Sequence, residues 1–158
     1  MTNLYNEEFD NYVIEGERIT ANYEGFELVA RIEYDDNTAA PDKRDCGFWP
    51  SMVETDAGFM GHNVSAAEYK AAFQDAERVI DDWKADKWFY CGVVISVAKN
   101  GVMLDEHAAA CWGYECNLAD KDGKIDNSHL TQAANELASE AVARGRTALK
   151  DIVTKLTA

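Results

Sequence analysis

Residues 89–116 read FYCGVVISVAKNGVMLDEHAAACWGYEC, and two long strands joined at Asn100-Gly101 account for them. Phe89, Cys91, Val93, Ile95 and Val97 alternate with Tyr90, Gly92, Val94 and Ser96, the period of two of an extended chain. Asn-Gly supplies the positive φ values that a two-residue hairpin turn demands. The return strand runs from Val102 to Cys116. Plain alternation puts Ala108, Ala110, Trp112 and Tyr114 on one face, where the alanines leave room for a helix.

A second hairpin is expected upstream, Arg18–Tyr23 and Phe26–Tyr34 around Glu24-Gly25. Phe26, Leu28, Ala30, Ile32 and Tyr34 share one face; Glu27, Val29, Arg31 and Glu33 share the other, as in a sheet with one wet face. Residues 1–17 are polar with scattered aromatics and read as a flexible arm. Residues 35–64 hold both prolines and three glycines, and read as an irregular loop longer than the ~12–15 residues usual in a compact domain. Its Phe48-Trp49-Pro50 cluster is either a small satellite core or a contact surface.

Ser65-Ala66-Ala67-Glu68 is a capping-box start. Tyr69, Ala72, Phe73, Ala76, Val79, Ile80 and Trp83 then form the apolar stripe of a helix. A loop at residues 117–127 precedes a long helix from about Ser128 towards Leu156, which Gly145 is expected to kink or end. The whole predicts a single α+β domain over 1–158. It has an antiparallel sheet of about four strands, two hairpins in ββαββα order, and two main helices packed on one face.

Hydrophobic residues make up 47% of the 158, which argues against disorder. No apolar run approaches the ~20 residues of a membrane span, and the acidic start carries no evident signal peptide. Cys46, Cys91, Cys111 and Cys116 form no dense framework and read as reduced thiols, which predicts a cytoplasmic protein.

Charge is the unusual property. The formal net charge is −14, and it is uneven: residues 1–86 hold 20 acidic and 7 basic residues, the remainder 9 and 8. Such a surface disfavours direct nucleic-acid binding, which needs cations to neutralise phosphates. It favours a basic partner. On the first helix Glu68, Asp75 and Asp82 recur every seven residues, about 10 Å apart along one line, with Asp86 one turn on. Glu77/Asp81 and Asp82/Asp86 are like-charged pairs at i,i+4, each costing a few tenths of a kcal/mol.

No phosphate-binding glycine loop, dinucleotide fingerprint, GxSxG or HExxH is present, so no catalytic residue, cofactor or metal is assigned. His107, Cys111 and Cys116 lack a good ligand spacing. Asp120–Asp126 resembles a calcium loop but lacks its terminal glutamate.

The strings Asp82–Val94 (DWKADKWFYCGVV), Asn100–Ala109 (NGVMLDEHAA), Trp112–Cys116 (WGYEC), Ala134–Leu137 (ANEL) and Val29–Asp36 (VARIEYDD) resemble a group of small acidic proteins of bacteriophages and prophages of unassigned function. The resemblance implies a mobile-element origin and an intracellular setting in a bacterium. With the charge, it leads to an expectation of an anti-CRISPR or anti-restriction inhibitor, a DNA mimic that occupies the basic surface of a host nucleic-acid-binding protein or nucleoprotein complex. Asp35, Asp36, Glu68, Asp75, Asp82 and Asp86 are its expected charged contacts and Trp49 its anchor. The alternative is a phage structural or accessory protein that self-assembles, its acidity serving solubility.

Overall fold

A computed structural model describes residues 3–158. The chain is an α+β protein built on one antiparallel sheet of four strands, β1 (Arg18–Tyr23), β2 (Phe26–Tyr34), β3 (Phe89–Lys99) and β4 (Val102–Cys116), which lie in that order. Helix α1 (Ala66–Lys84) stands between β2 and β3, and helix α2 (Ser128–Thr157) follows β4. Both hairpin turns place their two central residues at positive φ, Glu24 and Gly25 at 50° and 82°, Asn100 and Gly101 at 50° and 77°. The second turn has the residues that geometry prefers. Glu24 is a costlier occupant, and Arg146 of α2 pairs with its carboxylate.

One face of the sheet is the core. Ile19, Phe26, Leu28, Ala30, Ile32, Cys91, Val93, Ile95 and Val97 pack there against Leu130, Ala133, Ala134, Ala138, Ala141 and Val142 of α2. The helix runs from Ser128 to Thr157 through Gly145, so the glycine does not end it. Gly145 is buried because the helix comes so close: a Cβ there would lie 2.8 Å from a methyl of Val97. The core cluster contains no residue of α1, so of the two helices expected on one face this core holds only α2. Helix α1 instead meets the end of β3, where the buried Trp88 donates its indole N–H to the Val79 carbonyl at 2.9 Å and lies edge-on to Tyr90. Tyr90 alternates with Cys91 and therefore faces away from the α2 side.

Residues 3–17 do not stand off as an arm. Tyr5, Phe9 and Val13 are buried in the core. Side chains hold the backbone between them: Asn135 accepts from the Leu4 and Tyr5 N–H groups, and Thr131 from Phe9. Asn117 closes both backbone groups of Val13, at 2.8 Å each, and Asn127 binds Asn117 and the Asn11 carbonyl.

Strand β4 departs most from plain alternation. It spends fifteen residues against the eleven of β3, with register shifts opposite Cys91–Val93, Ile95–Val97 and Val97–Ala98. At the first shift Gly113 takes φ 82°, so Tyr114 pairs with Cys91 on the core side. The Trp112 ring instead lies across Gly92, where a Cβ would fall 2.3 Å from it. Trp112 and Tyr114 are thus split between the two faces, and Ala108 and Ala109 are both buried. The same shifts set Cys116 opposite Phe89, diagonal to Cys91, and those two sulfurs are joined in a disulfide. This corrects the expectation of four thiols; Cys46 and Cys111 remain free.

Candidate partner-binding surface

Asp35 follows β2 directly and turns inward. Its carboxylate accepts from the Asn37 and Thr38 N–H groups, from the Thr38 hydroxyl at 2.6 Å, and from the Gly113 N–H across the sheet at 2.9 Å. Burial acts to raise its pKa; the Thr38 hydroxyl and the three N–H groups outweigh that and hold it below the ordinary aspartate value. Asp35 is 6% exposed. It therefore cannot serve as a surface contact, and its work is to fix the loop exit and the Gly113 bulge together. Asp36, the next residue, is exposed.

The 35–64 loop is tightly wound. Ser51 bridges to Phe59 with backbone bonds to Gly58 and Met60. Gly47 and Gly58 let main chains cross: a Cβ at Gly58 would overlap the Trp49 carbonyl, and one at Gly47 would fall 2.3 Å from the Ala57 carbonyl oxygen. The winding turns Trp49 onto α1. Its ring centroid lies 5.4 Å from that of Phe73 and 5.2 Å from that of Phe48. Trp49 and Phe73 are each 37% exposed, and Met52 and Val53 further along the loop are exposed too. Phe48, Phe59 and Met60 are half-buried, so the loop is part satellite core and part surface.

The carboxylate line on α1 is largely spent within the helix. Glu68 completes the capping box, accepting from the Ser65 N–H at 3.0 Å while Ser65 accepts from the Glu68 N–H at 3.1 Å. Arg78 sits three residues after Asp75 and four before Asp82, and pairs with both at 2.9 and 3.3 Å. Lys87 takes the other oxygen of Asp82 at 2.9 Å. Asp86 terminates the helix at φ 56°, donating its N–H to the Trp83 carbonyl. The structure thus gathers Asp75 and Asp82 around one arginine rather than leaving a free negative stripe.

Two carboxylates that the sevenfold spacing passed over are placed differently. Glu77 and Asp81 are exposed, and neither has an ion pair among the described residues. Glu77 lies one turn beyond Phe73, and Asp81 one turn beyond Glu77. Their signal was in the sequence as a like-charged pair that the helix tolerates at a cost.

Elsewhere the polar clusters close on themselves. Arg31 bonds to Glu33 at 2.8 Å, to the Glu106 carbonyl, and to His107 Nε2 at 3.3 Å. Asp120 accepts from the Asp122 and Lys124 N–H groups. The Ser128 N–H and hydroxyl hold the Asp126 pKa below its ordinary value. Among the described residues no group of three or more His, Cys, Asp or Glu side chains is placed to hold a metal ion. No helix among them is long and apolar enough to cross a membrane. No protein-family model, curated protein or solved structure matches the chain.

Proposed function

We propose that this chain is an acidic binding protein of a mobile genetic element. It inhibits a host nucleic-acid-directed defence complex, of the anti-CRISPR or anti-restriction type, by occupying a basic surface that otherwise holds phosphates. The observation that carries this is the charge asymmetry, 20 acidic against 7 basic residues in 1–86, with Asp36, Glu68, Glu77, Asp81 and Asp86 exposed. Carboxylates held on a rigid helix and a wound loop offer a basic groove fixed negative charge at little ordering cost. The proposed setting is a bacterial host cell; the Cys91–Cys116 disulfide removes the thiol argument for its cytoplasm, and the proposed role needs no catalytic residue or cofactor.

The experiment is capture of partners by the tagged protein from bacterial lysate at low and moderate salt, followed by elution with nucleic acid. Recovery of a basic nucleic-acid handler that DNA or RNA elutes supports the proposal. Partners that nucleic acid does not displace contradict it. A second reading, a self-assembling phage structural or accessory protein, draws support from the pairing of Asp75 and Asp82 with Arg78 and Lys87, which leaves those two carboxylates little free charge to offer a basic groove. It predicts association of the purified chain with itself at ordinary salt.

A further inference from the structure

We infer that the basic partner docks on the outer side of α1, with an arginine-bearing segment laid over Trp49 and Phe73 and paired to Glu77 and Asp81. The inference rests on the proposed function and says where that contact is made and by what chemistry. Two large rings are in contact at 5.4 Å, yet each is 37% exposed, although the half-buried Phe48 and Tyr69 are close enough to pack on them. Together they form a small aromatic patch open to solvent.

Charge then selects the occupant. Phe73, Glu77 and Asp81 lie on one side of α1 at successive intervals of four, about 6 Å apart along the axis. The loop that supplies Trp49 holds six acidic residues and two basic ones between positions 35 and 64. An aromatic face flanked by exposed carboxylates fits a guanidinium better than an ammonium. The planar cation stacks on the ring while its donors reach the carboxylate, whereas lysine offers only a strongly hydrated point charge. Lys70 and Lys84, both exposed, lie three residues before Phe73 and three after Asp81 on the same side. They bound the site to about 12 Å of helix, the reach of three or four extended residues.

The test uses the full chain, isotopically labelled and titrated at low salt with a nonapeptide of arginine and one of lysine, followed by NMR. The expected result is a saturable shift of the Trp49 indole N–H and of the Phe73, Glu77 and Asp81 amides. The arginine peptide should bind about fivefold or more tightly than the lysine peptide. The isosteric Glu77→Gln, Asp81→Asn double variant should fold normally and lose about tenfold in affinity, with the Trp49 shift abolished. Shifts scattered over all exposed acids, equal for both peptides and unchanged in the double variant, overturn the docking site while leaving a basic partner in place. Absence of response to either peptide overturns the basic partner as well. Shifts at Trp49 and Phe73 that grow with protein concentration alone assign the face to a second copy, and also overturn the inference.

Discussion

At the scale of single residues, Asp35 shows how a surface expectation can conceal a structural part. Two adjacent aspartates after a strand read as a charged exit, and one of them is the acceptor for three backbone N–H groups and a hydroxyl. Nothing local in the sequence separates them, because one of the donors, Gly113, comes from a bulge 78 residues away. Replacing Asp35 with Ala should cost about 1–3 kcal/mol, since it leaves four part-buried donors without their acceptor. The sign of its pH dependence follows from a folded pKa below the ordinary value of 3.8. The carboxylate's contribution is complete above that value and is lost as pH falls below it through the folded pKa. Urea melts of the wild type and the Asp35→Asn variant should therefore differ most near neutral pH and converge in acid; a gap that widens on acidification would contradict this.

Cysteine pairing was illegible for the same reason. In an unbulged hairpin closing at Asn100-Gly101, Cys91 would face Ala110, and Cys116 would lie far from it. Four extra residues in β4 carry Cys116 to the diagonal position, and a run such as Ala108–Cys111 has too little side-chain contrast to reveal them. Titration of the denatured, unreduced protein with a thiol reagent should count two thiols, Cys46 and Cys111, and four after reduction. Four before reduction would mean that the Cys91–Cys116 bond is absent. The count also bears on the proposed setting, because disulfides persist in oxidising compartments and are rare in a reducing cytosol.

Whole elements were more legible than their contacts. The hairpins and both helices follow from period, turn residues and a capping box, because those signals are local. What each element touches depends on distant chain. Tyr5, Phe9 and Val13 look scattered in a polar stretch, yet each enters the core because Asn135, Thr131 and Asn117 satisfy the backbone beside it. The charged line on α1 was visible, and so was the arginine that neutralises it; spacing of three and four from Asp75 and Asp82 already put Arg78 on their side. Gly145 is set by the same close packing of α2 on the sheet. Helix propensity favours alanine there by about 1 kcal/mol, but the added Cβ meets the fully buried Val97 at 2.8 Å. Overpacking of that kind costs about 1–3 kcal/mol, so Gly145→Ala should lower the melting temperature. A rise would show that α2 can lift from the sheet without loss.

For the molecule as a whole, the fold divides the labour between its two sides. The α2 face and the strapped N-terminal segment supply the core. The wound loop and α1 lie apart from that core and present exposed aromatics and carboxylates. At a net charge of −14 the exposed acids repel one another, and salt should weaken partner association while relieving that repulsion. The most direct measurement is equilibrium competition, at fixed ionic strength, between this protein and nucleic acid for a purified basic partner recovered by capture. Mutually exclusive binding, with an association rate that falls steeply as salt rises, is the predicted result. A ternary complex in which the partner holds nucleic acid and this protein together would contradict occupation of the phosphate-binding surface.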